Sequence, residues 1–201
     1  TLLMAGYLML FHPSVQKINK LLDEKDLRDQ LCYIHMSRTN PFSPVSGVDV
    51  LHDLAVHDIY LSRSLMGENP VWVMARGGRY DILILIGFPH GKIASVLASS
   101  MHSEKTRKIT LVTPDMKIVF DDVRPENKKI QLFTNGDTGY FLSVEDNIEP
   151  LRKECLHFIE CIGENKEPES GSEAIAFVTK ITDCITHSLR KGGEKIMIDQ
   201  E

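Results

Sequence analysis

Asp81-Ile82-Leu83-Ile84-Leu85-Ile86-Gly87-Phe88 is followed, across Pro89-His90-Gly91, by Ile93-Ala94-Ser95-Val96-Leu97-Ala98-Ser99. Both runs are short, apolar and bounded by turn-forming residues, so each reads as a strand. The joint between them is too short for a crossover helix, which makes them antiparallel neighbours. Val71 to Ala75 comes before them as a further strand. Lys108 to Val112, Lys117 to Phe120 and Lys129 to Phe133 come after, with Pro114-Asp115 at another short joint. A meander of antiparallel strands is the expectation. Along the first run, Ile82, Ile84 and Ile86 oppose Leu83, Leu85 and Gly87, so both faces are apolar; the second run likewise has no charged face. With helices on one side, such a sheet needs a partner surface on the other. Sheet-to-sheet association into a homo-oligomer is the physical expectation.

Helical patterns flank the strands. Pro13 suits a first helical turn, and Val15, Ile18, Leu21 and Leu22 make an apolar stripe with Lys17 and Lys20 outward, stopping around Leu22 to Lys25. Leu31 to Thr39 reads as a strand that is wetter on one side. Asn40 to Gly47, with Pro41, Ser43, Pro44 and Ser46, reads as a loop. A helix is expected from Asp49 or Val50 to about Met66, ending at Gly67. Asp121 to Lys128 is a polar excursion and Asn135 to Gly139 a turn-rich loop. Leu151, Cys155, Phe158, Ile159 and Ile162 repeat at helical spacing, as do Ile175, Val178, Ile181, Ile185 and Leu189, with Gly163 to Gly171 between them. Thr1 to Phe11 is almost continuously apolar and reads as a strand buried on both faces, the remnant of a sheet lying upstream. The fold class is α/β of the α+β type: an open, largely antiparallel sheet with helices on one face.

The chain has 201 residues, 42% hydrophobic and 25% charged, enough for one large domain with its own core. Its 23 basic and 28 acidic residues give a formal charge of -5, which argues against non-specific nucleic-acid binding. The cysteines, Cys32, Cys155, Cys161 and Cys184, are widely spaced with no CxxC, and read as free, mostly buried thiols of a reducing, cytoplasmic compartment. The apolar start lacks a basic lead, and Leu2 to Phe11 is too short to cross a bilayer, so no membrane partner is expected.

Leu51-His52-Asp53-Leu54-Ala55-Val56-His57-Asp58 places four ionisable groups inside an apolar helical pattern. Asp53 and His57 share one helical face and can meet a common ligand. Such a pair supports proton transfer, or it is a satisfied structural pair; spacing alone does not choose. Arg38, at a strand end, suits a carboxylate or phosphate fork, or a salt bridge to the body of the domain. His52 and His57 do not share a helical face and no HExxH occurs, so no metal site is expected.

Nearly the whole chain resembles the C-terminal domain of the Gfo/Idh/MocA oxidoreductases. The resemblance rests on Ala5-Gly6-Tyr7-Leu8-Met9-Leu10-Phe11-His12-Pro13, Arg38-Thr39-Asn40-Pro41, Val50 to Ile59, Glu149-Pro150-Leu151, Phe158 to Ile162 and Glu173-Ala174. It implies that residues 1–11 are the last strand of an upstream Rossmann domain. Residues 12–201 would then form a substrate-binding and oligomerisation domain. It also implies NAD(P)-dependent chemistry on a sugar, sugar nucleotide or polyol. His57 would be the acid/base and Asp53 its orienting or substrate-holding partner. Tyr7, His12, Arg38 and Asn40 would approach substrate. Two departures limit this chain. No G-x-G-x-x-G occurs, since Gly77-Gly78 lacks the spacing, and no Glu-Lys-Pro occurs. NAD or NADP would serve the intact parent, while the isolated chain is expected to bind neither and to be inactive. The other class of reading is a non-enzymatic oligomerisation or carbohydrate-binding module on the same fold.

Overall fold

A computed structural model describes residues 1–42, 47–136, 138–146 and 148–199. Ser43, Pro44 and Ser46 of the expected Pro-rich loop, and residue 137 of the second loop, lie outside them.

The elements follow the sequence patterns closely. Helix α1 spans Pro13–Glu24, and its start is capped by His12, whose Nδ1 accepts the Ser14 N–H at 3.1 Å. Val15, Ile18 and Leu22 are its buried stripe. Strand β1 is Tyr33–Pro41. A π-helical turn over Leu51–Ala55 leads into α2, Val56–Met66. That helix ends where Gly67 adopts φ of 71° and donates to the Arg63 carbonyl. Arg28 Nη1 donates to the Ser64 and Leu65 carbonyls, each at 2.8 Å, so the frayed end of α2 is satisfied by a side chain.

The strands are β2 (Trp72–Gly77), β3 (Asp81–Gly87), β4 (Ile93–His102), β5 (Thr106–Val112), β6 (Met116–Asp121), β7 (Ile130–Thr134) and β8 (Tyr140–Leu142). Helices α3 (Pro150–Glu164) and α4 (Ser172–Arg190) follow, and β9 (Ile196–Met197) ends the order. Among the described residues these strands form one nine-stranded sheet in the order β8-β7-β6-β5-β1-β4-β3-β2-β9. The expected meander is therefore interrupted. β1 is inserted between β4 and β5, parallel to the former and antiparallel to the latter, with His35 opposite both Ser95 and Thr110. This satisfies the backbone of β1 on both sides while Ile34 and Met36 are fully buried.

The sheet is open, mostly antiparallel, and covered by helices on one face. Ile82, Ile84, Ile86, Ala94, Val96, Ala98, Ile109, Leu111, Ile118 and Phe120 make the covered side. The other side leaves Tyr33 and Leu83 exposed beside His35, Ser37 and Lys108, so it is mixed rather than wholly apolar. At the β2–β3 ladder Trp72 lies opposite Gly87, where any Cβ would overlap the indole ring.

Thr1 to Phe11 is not a strand. Leu8–Phe11 forms a single 3-10 turn, and Ala5 is held by the loop before α4. The Ala5 N–H donates to the Ser170 carbonyl at 2.8 Å, and Ser170 Oγ donates to the Ala5 carbonyl at 2.7 Å. Among the described residues no sheet edge is offered to this segment. Its apolar side chains Tyr7, Met9, Leu10 and Phe11 are buried without one. The cysteines also depart from expectation: all four are free, but Cys32 and Cys155 are exposed.

Candidate functional site

On the covered face, the inward positions of three strands change from apolar to charged at one end of the sheet. Ile34 and Met36 of β1 continue as Arg38. Leu111 and Ile109 of β5 continue as Arg107. Ile118 and Phe120 of β6 continue as Asp122, just past the strand. The β1–β5 register sets Arg38 directly opposite Arg107, and the Asp122 N–H donates to the Arg107 carbonyl at 2.9 Å. The π-helical turn and the start of α2 bring Asp53, His57 and Asp58 to this same end. Wider turns of this kind recur at functional sites.

Arg38 is 8% exposed and spends its fork on Asp58: Nε donates to Oδ2 and Nη2 to Oδ1, both at 2.7 Å. Burial opposes its charge, but the Asp58 carboxylate, with Asp122 farther off, more than compensates and raises its pKa. The sequence left Arg38 between an anion fork and an internal salt bridge; the structure shows the salt bridge.

His57 stands beside this pair. Its ring meets Tyr7 edge-on at 6.2 Å between centroids, and Tyr7 stacks on Tyr60 at 4.9 Å. Among the described residues neither imidazole nitrogen has a hydrogen-bond partner, nor does the Asp53 carboxylate. Burial pushes the His57 pKa below its ordinary value and the Arg38 cation adds to the effect; Asp58 and Asp53 pull the other way, less strongly. The imidazole is therefore neutral near pH 7, with a lone pair available to take a proton. Burial also raises the Tyr7 phenol, which stays protonated.

The remaining sequence candidates are anchored by protein partners. His12 accepts at Nδ1 from Ser14, so its proton lies on Nε2, which faces Asp122 Oδ1 at 3.1 Å. Asp122 also accepts from Lys129 Nζ at 2.8 Å. The His12 hydrogen bond, with that from Lys129, holds the Asp122 carboxyl well below the usual carboxylate range despite its burial. A cleft of about 510 Å³ opens beside His12, Asp122, Lys129 and Asp146. Asn40 Oδ1 accepts from Arg107 Nη2 at 3.0 Å, which turns its amide N–H groups the other way. His52 is exposed and tied to the Asp49 carboxylate, whose Oδ1 accepts the His52 backbone N–H at 3.0 Å and lies 2.7 Å from its Nδ1. The structure thus brings Tyr7, Arg38, Asp53 and His57 together, links Asn40 to them through Arg107, and sets His12 beside Asp122.

Sequence reading missed Arg107, Asp122 and Lys129. The signal was there for the first two: each is a charged residue at an inward position of an otherwise apolar alternation. Among the described residues no group of three or more His, Cys, Asp or Glu is placed to hold a metal ion. No helix is long and apolar enough to cross a membrane among them. Gly77-Gly78 belongs to the β2–β3 hairpin, with Gly77 opposite Ile82, so it is not a strand-to-helix phosphate turn.

No protein-family model matches the chain, and no curated protein does. Solved structures do. An oxidoreductase from Pseudomonas syringae superposes with a TM-score of 0.83 at 14% identity over 98% of this chain and 65% of that one. Aldose-aldose oxidoreductase from Caulobacter crescentus, complexed with glycerol, gives 0.83 at 18% identity over 98% and 64%. An inositol dehydrogenase homolog from Azotobacter vinelandii, complexed with NADH and myo-inositol, gives 0.83 at 14% over 98% and 64%. The chain thus spans just under two thirds of each of these proteins, and the likeness is one of fold.

Proposed function

We propose that this chain is the C-terminal, substrate-binding domain of a Gfo/Idh/MocA oxidoreductase that acts at a hydroxyl-bearing carbon of a sugar, sugar nucleotide or polyol. The observation that carries the reading is His57: a neutral, half-buried imidazole whose nitrogens, like the nearby Asp53 carboxylate, have no hydrogen-bond partner among the described residues. Oxidation at such a carbon requires the hydroxyl proton to leave as well. His57 takes that proton, and Asp53 accepts a neighbouring hydroxyl or steadies the imidazolium that forms. Tyr7 walls the site, the Arg38–Asp58 pair holds the start of α2 against the sheet end, and His12 acts by capping α1. The folds of the dehydrogenases and oxidoreductases above support the reading.

In this proposal residues 1–11 lead in from an upstream Rossmann domain, and residues 12–201 bind substrate and assemble the oligomer. NAD or NADP would supply the hydride acceptor from that other domain. The 201-residue chain alone transfers no hydride. The open sheet face, with Tyr33, Leu83 and Phe141 exposed, suits contact with a second copy. Four free thiols suit a reducing cytoplasm.

The test is His57→Asn and Asp53→Asn in the intact parent, following nicotinamide absorbance. Turnover should fall by about 10²–10⁴ for His57→Asn, the usual worth of a positioned acid/base. Unchanged turnover would reject the role. Stoichiometric NAD(H) or NADP(H) binding by the 201-residue chain would reject the division of labour.

A further inference from the structure

The charges at the sheet end can be paired off. Asp58 is taken by Arg38 through two hydrogen bonds. Asp122 is taken by His12 and Lys129. Arg107 is left over. Its Nη1 donates to the Thr39 and Thr106 carbonyls at 3.0 and 2.9 Å, and its Nη2 to Asn40 Oδ1 at 3.0 Å. All three acceptors are neutral, and no carboxylate lies within ion-pair distance among the described residues. Nε–H and one Nη2–H remain without a protein partner among the described residues.

A half-buried guanidinium held this way is costly. It stands directly across the ladder from a second guanidinium, Arg38, and like charges opposite each other in a sheet are destabilising. Burial and the Arg38 cation lower the Arg107 pKa, and Asp58, Asp122 and Asp53 only partly offset them. Asp53 is the complementary remainder: a carboxylate with no hydrogen bond among the described residues, close enough to act on both Arg107 and His57. A ligand that met both groups would carry an anion at one end and hydroxyls at the other.

We infer that Arg107 is an anion subsite of the His57 site, and that the substrate is a polyhydroxylated compound bearing a carboxylate or phosphate group. The anion sits on the free Nε–H and Nη2–H of Arg107, and the hydroxyls face His57 and Asp53. The inference rests on the site assignment made above and deepens it by naming the substrate's charge. It transfers to Arg107 the anion recognition that the sequence suggested for Arg38.

The experiment is a titration of the 201-residue chain followed by NMR of the arginine Nε–Hε resonances. The probes are glucuronate, inorganic phosphate and neutral glucose, each taken to tens of millimolar. The Arg107 resonance should move saturably with glucuronate or phosphate and not with glucose. A response to glucuronate alone assigns a carboxylate, and to phosphate alone a phosphoryl group. Arg107→Gln should weaken anion binding at least tenfold, with Arg107→Lys intermediate because it keeps the charge and loses the fork. Asp53→Asn should tighten anion binding, since it removes a nearby negative charge. No Arg107 response to either anion, or an equal response to glucose, would overturn the inference. The wild-type titration stands even if a variant fails to fold. Anion binding here, with no nicotinamide-dependent turnover in the intact parent, would sink the oxidoreductase reading and leave the subsite standing.

Discussion

Replacing Asp58 by Ala removes the carboxylate bonded to Arg38, and its cost follows from the geometry. Two charge-assisted hydrogen bonds of 2.7 Å are lost between side chains 10% and 3% exposed. The cation left behind has little access to water, and it still faces Arg107 across the β1–β5 ladder. Breaking a buried pair from one side costs about 3–5 kcal/mol, and the facing guanidinium places Asp58→Ala in the upper half of that range. With a urea m-value of about 3 kcal/mol/M, the unfolding midpoint drops by roughly 1.3–1.7 M. Arg38→Met leaves a carboxylate that still has the Arg107 cation nearby, so its loss is smaller. The double replacement Arg38→Met with Asp58→Leu removes both charges and the facing repulsion, and should recover most of the stability. Urea denaturation of wild type and the three variants by circular dichroism compares their stabilities. A loss below about 1 kcal/mol for Asp58→Ala, or a double variant no better than the single, would refute the reasoning.

Other sites give further outcomes. Asp122 has a depressed carboxyl pKa, so its stabilising contribution is complete above its unfolded value of about 3.9 and is lost as pH falls from there towards the folded value. Asp122→Asn should therefore lower stability at neutral pH and flatten the acid limb of the stability curve; an unchanged limb would contradict the His12–Asp122–Lys129 cluster. Glu154 is 7% exposed, its Oε1 has no partner, and burial raises its pKa. Ionising it costs stability as pH rises through the unfolded value of about 4.3, so Glu154→Met should stabilise the chain by about 1–3 kcal/mol at pH 7, with less gain near pH 4; a lower melting temperature at pH 7 would contradict this. Gly87→Ala forces the Trp72 indole off the ladder and should cost about 1–3 kcal/mol, with Trp72→Ala in the same chain relieving the clash; equal melting temperatures for Gly87→Ala and wild type would contradict it.

Much of the fold was legible because strand alternation and helical stripes are local signals. Ile82 to Ile86 declared a strand though not its buried side, and Val178-Ile181-Ile185 declared both a helix and its buried side. The insertion of β1 between β4 and β5 was not legible, because nothing in Ile34 to Thr39 says which strands it will join. Thr1 to Phe11 was misread for a related reason: an apolar run becomes a strand only where an edge accepts its backbone. β8 and β9, of three and two residues, are too short for a periodic signal. In the site, the Asp53–His57 spacing was visible, although the π-helical turn beneath it was not. Arg107 was visible as a charge among inward apolar positions. Its significance needed the register that sets it against Arg38, and the pairing that leaves it without a carboxylate.

The central claim is that a polyhydroxylated ligand meets His57. The most direct measurement is imidazole ¹⁵N NMR of the 201-residue chain during titration with myo-inositol, glucose and glucuronate. At least one of these should move the His57 nitrogens saturably, while His52, His90 and His102 stay in place. In the free chain, His57 should titrate below the ordinary value of about 6.5, as its burial and the Arg38 cation require. Ligand-induced shifts that fall on other histidines and leave His57 unmoved would contradict the account.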